Sequence, residues 1–240
     1  MEHWDRLWPG GYTFAYADGL FRPSTDTFLL GGFPVLRRGE RVCDLGAGTG
    51  LLGALLLTRE PSLTVTGLEL SPAACALADR TAAANGLTDR LITLPCDLRD
   101  RRQLPSAGRF DLAVSNPPYF PAGGGKTAAG SRGIHRAELA CTMEQLCAAA
   151  AYLLRSGGQF CLVYRTERLA ELMETLRRHR LEPKVLRFVQ KNAASAPSLL
   201  LMACRKDGGT GLTVQPPLLL QNDDGTETPE LRRIYFKEKG

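Results

Sequence analysis

Short apolar runs alternate with helical patterns from about residue 40 onward, and this alternation constrains the fold more than any other feature of the chain. The order is typical of an α/β fold in which a largely parallel sheet carries helices on both faces. The last two runs are joined only by a short polar segment, so we expect an antiparallel hairpin at or near one sheet edge. We therefore predict a doubly wound, seven-stranded sheet with strands at Arg41–Leu45, Leu63–Leu70, Leu91–Pro95, Phe110–Ser115, Gln159–Tyr164, Lys184–Gln190 and Ser198–Cys204.

Two of the intervening helices have ends that can be read from local residues. Ser71 can cap a helix that runs through an alanine-rich segment to Asn85-Gly86. Thr142 and Gln145 have the spacing of a capping box at the start of a second helix. We expect Gly157-Gly158 to end that second helix.

The 240 residues of the chain are enough for one domain that buries its own core. We predict a single domain over residues 1–205, which includes a short N-terminal segment at residues 1–40. Residues 206–240 are predicted to be a C-terminal extension, because Pro216-Pro217 and Asp223-Asp224-Gly225 favour an extended tail. Residues 121–133 are rich in glycine and are expected to form a loop beside the site.

The composition favours a cytoplasmic protein with neither a membrane nor a metal partner. No apolar run approaches the ~20 residues that cross a bilayer, and the first ten residues carry charges where a signal peptide would be apolar. The seven cysteines are an odd number, and no two have the close spacing of a zinc or redox site. We expect reduced and mostly buried thiols.

Basic residues cluster in two places within a chain of net charge +5. Such clusters can neutralise the phosphates of a nucleic acid, or they can form a solvated helix face, and the sequence does not choose between these interpretations. The clusters comprise Arg177, Arg178, Arg180, Lys184, Arg187 and Lys191, and then Arg232, Arg233, Lys237 and Lys239.

A glycine-rich turn follows the first predicted strand in the run Asp44-Leu-Gly46-Ala-Gly48-Thr-Gly50 and precedes a helical segment. Glycines allow a sharp turn and a close approach of a ligand, and the helix N-terminus presents unpaired amide donors. The spacing of Gly48, Gly50 and Gly53 also matches the dinucleotide-binding pattern, so a dehydrogenase must be considered.

Three acids at strand ends narrow this choice. Asp44 lies in an apolar strand, where a carboxylate needs a positive or hydrogen-bonding partner such as an amino-acid ammonium group. Glu69 ends the second strand, where it can accept from both hydroxyls of a ribose. Asp97 follows the third strand, where it can accept from an adenine amino group or cap a helix.

The glycine turn and the three acids together resemble the pattern of class I S-adenosylmethionine-dependent methyltransferases. The resemblance implies strand order 3-2-1-4-5-7-6 with an antiparallel last strand, and S-adenosylmethionine as the cofactor. It assigns Asp44 and the glycines to the methionine part of the cofactor and Glu69 to the ribose. The adenine falls to Asp97 and Leu98, and the glycines concerned are Gly46, Gly48 and Gly50.

The run Asn116-Pro117-Pro118-Tyr119 after the fourth strand predicts chemistry on a planar amino nitrogen. The lone pair of such a nitrogen is delocalised. If two acceptors take hydrogen bonds from both of its N–H groups, the lone pair becomes available for attack on a methyl carbon. The Asn116 side-chain oxygen and the Pro117 carbonyl can be the two acceptors, and proline fixes the carbonyl direction. Tyr119 can stack on the substrate. We also count Asn116 among the residues that line the cofactor.

This turn resembles the motif of adenine amino methyltransferases of DNA and RNA and of glutamine methyltransferases of release factors. The glutamine enzymes have a helical N-terminal substrate domain, whereas here only the short segment at residues 1–40 precedes the first predicted strand. Within that segment, Phe21–Leu30 is similar to the bacterial valine-tRNA adenine-37 methyltransferase family. Asp26 matches that family's acidic position near the methionine end of the cofactor. Arg136-Ala137-Glu138, Tyr164–Leu169 and Leu181–Lys184 are also similar to that family, although it often has His at position 137.

The resemblance therefore implies an N6-adenine methyltransferase that acts on RNA, with adenosine 37 of a tRNA as the leading target and tRNA as the partner. A glutamine N5-methyltransferase of a release factor and another nucleic-acid amino methyltransferase are the alternatives among enzymes. A methyltransferase-like protein that binds RNA without catalysis is the alternative of another class. The cofactor acids and Asn116 disfavour it because they are all present.

Overall fold

The computed structural model describes residues 1–20, 24–118 and 141–236. Ten strands are described: β1 (Glu2–Arg6), β2 (Thr13–Ala17), β3 (Arg41–Leu45), β4 (Thr64–Glu69), β5 (Leu91–Pro95), β6 (Phe110–Ser115), β7 (Leu154–Arg165), β8 (Leu181–Gln190), β9 (Leu199–Lys206) and β10 (Thr213–Leu219). The described α-helices are α1 (Thr25–Gly32), α2 (Leu51–Arg59), α3 (Pro72–Ala84), α4 (Met143–Leu153), α5 (Leu169–Arg178) and α6 (Pro229–Ile234), and a 3₁₀ turn covers Thr166–Arg168.

Eight strands form one mixed sheet in the order β5-β4-β3-β6-β7-β9-β8-β10. All neighbours are parallel except β9, which lies antiparallel between β7 and β8. The α/β class and the antiparallel pairing of the last two predicted strands are therefore confirmed. One apolar core on each face of the sheet packs it against helices, with Val42 and Leu56 in one core and Phe160 and Met202 in the other.

The predicted number of strands was wrong, because β10 adds an eighth strand to the sheet. Among the described strands, β10 pairs only with β8, and its register shifts between Gln215 and Leu218, where Pro216 and Pro217 lie. Proline cannot donate to a ladder and is tolerated at an edge or a bulge. The proline pair thus marks an edge strand and not a free tail, while the boundary proposed at residue 205 remains a prediction.

The predicted end of α4 at Gly157-Gly158 was also wrong. The helix ends at Leu153 and β7 begins at the next residue. Gly157 has a φ of 73°, and a Cβ on Gly158 would lie 2.9 Å from the Arg155 carbonyl oxygen. The register of β6 with β7 shifts in the same region. These glycines therefore form a bulge in a strand. A glycine pair can occur at a strand bulge as well as at the end of a helix, so the sequence pattern does not distinguish the two.

The two helix starts that the sequence indicates are confirmed. The Ser71 hydroxyl accepts the N–H of Ala74 at the start of α3. At the start of α4, the Thr142 hydroxyl accepts the Gln145 N–H at 3.2 Å, and the Gln145 side chain accepts the Thr142 N–H at 2.9 Å. This is the reciprocal capping box.

We expect Thr142→Ala to lower the free energy of unfolding by about 1 kcal/mol, because it leaves an amide at the start of α4 without its acceptor. Urea unfolding followed by circular dichroism measures the effect. Thr210→Ala is the matched control, since Thr210 is exposed in a loop. Equal stabilities for the two variants would contradict the capping role.

The N-terminal segment contains a hairpin that the sequence did not indicate. β1 and β2 form a separate two-stranded antiparallel sheet. The N–H of Thr13 donates to Asn85 Oδ1 at 2.9 Å, and the N–H of Ala15 donates to Thr81 Oγ1 at 3.0 Å. β2 therefore runs along α3 from the end of that helix towards its start, and it brings the following segment to the carboxyl edge of the sheet.

The seven cysteines are all free in the structure, and six of them are buried, which confirms the expectation of mostly buried thiols. Across the described ranges, none of the helices is both long and apolar enough to cross a membrane. Within the same ranges, no group of three or more His, Cys, Asp and Glu side chains could hold a metal ion.

Candidate active site

The predicted site residues follow the carboxyl ends of four neighbouring parallel strands. The glycine loop follows β3, Glu69 ends β4, Asp97 comes after β5 and Asn116 follows β6. Because parallel strands end at the same edge, the structure brings these features together there. Asp26 lies in the first turn of α1, next to a residue that contacts Asn116. Tyr119 lies outside the described residues.

The glycine loop is held to β4 by its backbone. The N–H groups of Gly46 and Ala47 both donate to the Leu68 carbonyl, at 2.9 and 3.2 Å. Gly46, Gly48 and Gly50 have φ angles of 75°, 56° and 78°, a region that glycine alone adopts without strain. A Cβ on Gly46 would meet no atom within 4 Å. The loop therefore borders open space in which a ligand can approach the backbone.

The environment of Asp44 points to a cationic or donating ligand. Its side chain is 2 % exposed, and among the described residues its Oδ2 has no hydrogen-bond partner. Burial, and then the negative charge of Glu69, raises the pKa of Asp44 from 3.8 to about 8. A buried acceptor without a donor is costly. An ammonium group bound beside Asp44 would offset that cost, so the residue fits the methionine part of the predicted cofactor.

Glu69 is fixed by two backbone donors. Its Oε2 accepts the N–H of Gly48 at 2.8 Å, and its Oε1 accepts the N–H of Ser71 at 2.8 Å. The carboxylate therefore joins the glycine loop to the start of α3. Each oxygen keeps a second lone pair, and the side chain is only partly buried. Glu69 can hold the loop and still accept from ribose hydroxyls.

We expect Glu69→Gln to weaken cofactor binding by about tenfold or more. The new NH₂ group would face the Gly48 or the Ser71 N–H, and a donor set against a donor costs about 1–3 kcal/mol. Isothermal calorimetry with the cofactor measures the change. Glu60→Gln is the matched control, because Glu60 also accepts a backbone N–H, from Ser62, but lies outside the site. Equal cofactor affinities in the two variants would contradict this role of Glu69.

Asp97 and Leu98 lie at the same edge, in a turn and not at the start of a helix. Arg99 already engages Asp97, with its Nε 2.9 Å from Oδ1 and its Nη2 2.8 Å from Oδ2. The hydrogen bond from Arg99 holds the pKa of Asp97 below its usual range. The capping alternative for Asp97 is therefore wrong, and its contact with an adenine stays a prediction for a carboxylate that Arg99 orients.

The turn at Asn116-Pro117-Pro118 is tied to the glycine loop by Ser115. This fully buried residue ends β6, and its hydroxyl donates to the Leu45 carbonyl at 2.7 Å. Leu45 directly precedes the glycine loop. In the paired strands Asp44 lies opposite Val114, so Asn116 begins the turn level with the first glycine. The turn and the loop thus have a fixed separation.

Asn116 also contacts α1, in a bond that the sequence did not indicate. Its Nδ2 donates to Thr27 Oγ1 at 2.9 Å, and Thr27 is 3 % exposed. Position 27 follows the predicted Asp26 directly, and this proximity was the only available signal. No local pattern relates Ser115 or Thr27 to partners that are 70 and 89 residues away.

The larger basic cluster has mostly internal partners. Acidic side chains or carbonyl oxygens hold five of its members within the described chain, and the pairs are Arg177 with Glu182, Arg178 with Glu144 and Glu174, Arg180 with Asp207, Arg187 with Glu230, and Lys184 with the carbonyls of Gly209 and Thr210. β8 runs parallel to β6, so the residues that precede or begin β8 lie at the edge opposite Asn116. The structure therefore favours a solvated, ion-paired surface there over a phosphate site.

The fold is that of known methyltransferases. A predicted O-methyltransferase of Agrobacterium tumefaciens superposes with a TM-score of 0.73 at 22 % identity, over 88 % of this chain and 95 % of that one. A geranyl diphosphate methyltransferase in complex with S-adenosylmethionine superposes with a TM-score of 0.52 at 16 % identity, over 75 % and 83 % of the two chains. These similarities concern the fold alone.

The sequence of the chain matches a family model and named relatives. The model of the methyltransferase small domain matches residues 24–188, and the chain belongs to this family. The chain is 30 % identical to the tRNA1(Val) (adenine(37)-N6)-methyltransferase of Serratia proteamaculans, over 94 % of this chain and 88 % of that protein. It is 29 % identical to the protein of the same name in Dickeya chrysanthemi, over 93 % and 92 % of the two chains.

Proposed function

We propose that the chain transfers a methyl group from S-adenosylmethionine to the N6 amino group of an adenine in RNA, with adenosine 37 of a tRNA as its leading target. The observation that carries the proposal is the fixed position of Asn116 beside the glycine loop, through the Ser115–Leu45 hydrogen bond. An acceptor for an amino group thus stands next to a loop that fits the methyl donor. The names of the relatives support the choice of tRNA.

One group of residues would hold and orient the cofactor. Asp44 would face the ammonium group, Glu69 the ribose, and Asp97 with Leu98 the adenine, while the glycines allow close approach. When it is bound, S-adenosylmethionine supplies an activated methyl group whose leaving group needs no proton. The methyl–nitrogen bond would form as the methyl–sulfur bond breaks, and the positively charged nitrogen would then lose its extra proton to water, so this step needs neither a metal nor a strong base.

The residues of the catalytic turn act on the acceptor. The Asn116 Oδ1 and the Pro117 carbonyl would each accept one N–H of the amino group, which favours a pyramidal nitrogen with a free lone pair. Both acceptors lie on a turn of two prolines that directly follows the buried Ser115, so they are preorganised. Positioning of this kind accounts for a large share of the rate in a transfer between two bound groups. We assign stacking on the base to Tyr119.

The test of this proposal offers three acceptors to the protein in the presence of methyl-labelled cofactor: tRNA, adenine-containing DNA and a release factor. We expect label in tRNA and a background level in the other two. Label in the release factor would support the glutamine alternative and contradict the proposal. Binding of tRNA without any transfer would support the non-catalytic alternative.

A further inference from the structure

The hydrogen bond between Asn116 and Thr27 has a consequence for the orientation of the asparagine. A primary amide has an acceptor end, Oδ1, and a donor end, Nδ2. The two ends are nearly equal in size, so packing alone does not choose between them. An amino substrate needs the acceptor end, because its own N–H groups would oppose the donor end.

The hydrogen bond to Thr27 determines which end of the Asn116 amide faces away from α1. Thr27 Oγ1 lies 2.9 Å from Asn116 Nδ2 and takes one hydrogen of the amide. With Nδ2 turned to α1, Oδ1 must point the other way, because the two atoms lie on opposite sides of the amide carbon. Thr27 is buried, and its position in the first turn of a helix that packs on α2 limits its movement.

A second oxygen near Thr27 Oγ1 allows the Thr27 hydroxyl to accept from Asn116. Thr27 Oγ1 lies 3.4 Å from the Oγ of Ser24, so the Thr27 hydroxyl can donate its hydrogen to Ser24. Ser24 is the N-cap residue of α1, but its side chain makes no capping bond to the helix. Serine at this position usually accepts a helix N–H. Here the Ser24 oxygen is available to accept from Thr27, and a lone pair of Thr27 Oγ1 can then accept from Asn116.

We propose that Thr27 is a positioning residue that holds Asn116 Oδ1 towards the amino group of the substrate. The inference rests on the proposed function, because it assigns an orientation to the group that would bind that amino nitrogen. The reversed amide would set donor against donor. Loss of the Thr27 hydroxyl should therefore lower turnover by about 10- to 100-fold, without a comparable change in the affinity for either substrate.

The test compares Thr27→Val with Thr27→Ser. Valine keeps the shape and removes the acceptor, whereas serine keeps the hydroxyl. We expect a lower kcat at an unchanged KM for cofactor in Thr27→Val, and recovery of most of kcat in Thr27→Ser. Thr58→Val is the matched control, since its part-buried hydroxyl donates within α2 to the Ala54 carbonyl, away from the site. We expect wild-type turnover from it.

A second readout does not depend on turnover. The side-chain NH₂ signals of Asn116 are assigned in NMR spectra by their loss in Asn116→Ala. In Thr27→Val we expect these signals to shift and their hydrogens to exchange faster with water, and in Thr27→Ser to return towards the wild-type values. If Thr27→Val unfolds, Thr27→Ala is compared with Thr27→Ser in the same way.

The outcomes separate this inference from the proposed function. Wild-type turnover and unchanged Asn116 signals in Thr27→Val would overturn the role of Thr27, even if Asn116→Ala is inactive. A wild-type protein that methylates no RNA would overturn the proposed function, while the NMR comparison would still decide whether Thr27 orients Asn116.

Discussion

Replacement of Asp44 by Asn is expected to stabilise the unliganded protein and to abolish cofactor binding. The carboxyl is buried, and its Oδ2 has no partner among the described residues. Such a group disfavours the folded state once it ionises, because its charge leaves water without a compensating contact. Asparagine removes the charge with little change in size. It would also remove the negative charge that we propose as the partner of the cofactor's ammonium group.

The gain in stability should depend on pH. Burial and the charge of Glu69 raise the pKa of Asp44 from 3.8 to about 8 in the folded state. The folded protein therefore binds a proton that the unfolded chain loses above pH 4, and the wild-type free energy of unfolding falls as the pH rises from 4 to 8. Asp44→Asn lacks this fall. We expect it to be more stable than wild type by roughly 2–4 kcal/mol at pH 8 and about equally stable at pH 4.

Chemical unfolding at several pH values and calorimetric titration with cofactor measure the two effects. Asp111→Asn is the control of opposite sign. Burial alone would raise the pKa of Asp111, but hydrogen bonds from the Arg41 backbone and from the Arg155 and Arg41 side chains hold it below its usual range. That variant should lose stability at neutral pH and keep the cofactor site. Tight cofactor binding by Asp44→Asn would contradict the assignment.

Replacement of Asn116 by Ala is expected to lower kcat by about 10²- to 10³-fold, the size of effect seen when one preorganised polar group is removed from a transition state. Cofactor affinity should fall much less than kcat, because Asn116 is one of several residues assigned to the cofactor and the hydrogen bonds that hold the glycine loop do not involve it. Single-turnover transfer from labelled cofactor to tRNA measures the rate, and calorimetry measures binding.

The matched control is Asn222→Ala. The Asn222 amide donates to Thr226 Oγ1 at 2.9 Å, in a loop after β10, which three strands separate from β6 in the sheet. That variant should methylate at the wild-type rate. Near-normal turnover by Asn116→Ala would refute the proposed mechanism, whereas lost turnover together with lost cofactor binding would indicate a structural role for the residue.

The central strands could be predicted because their signals are local. β3, β5 and β6 have the predicted ends, since apolar runs bounded by polar turns mark them. β3 and β6 are interior strands of the sheet, whereas β5 lies at its edge and exposes Ile92 and Leu94. The cap of α3 and the capping box of α4 involve residues three apart. The glycine loop and the turn at Asn116 lie at the same edge of the sheet because parallel strands end at one edge.

The features that were missed depend on partners distant in the sequence. The N-terminal hairpin is anchored to α3 by Asn85, 72 residues beyond Thr13. Thr27 reaches Asn116 across 89 residues. β10 carries a proline pair that a strand tolerates only because it is the last one in the sheet. In the basic cluster, the acids that pair with Arg178 and Arg187 lie on other elements, so charge counts along the chain overstated the free charge.

The central claim is methylation of an exocyclic amino nitrogen of a tRNA adenine, and the product on a defined tRNA tests it most directly. Two transcripts of a valine tRNA, one with adenosine and one with guanosine at position 37, are incubated with protein and cofactor, digested and examined by mass spectrometry. We expect N6-methyladenosine from the first transcript and none from the second. Methylation at a ring nitrogen, or equal methylation of both transcripts, would contradict it.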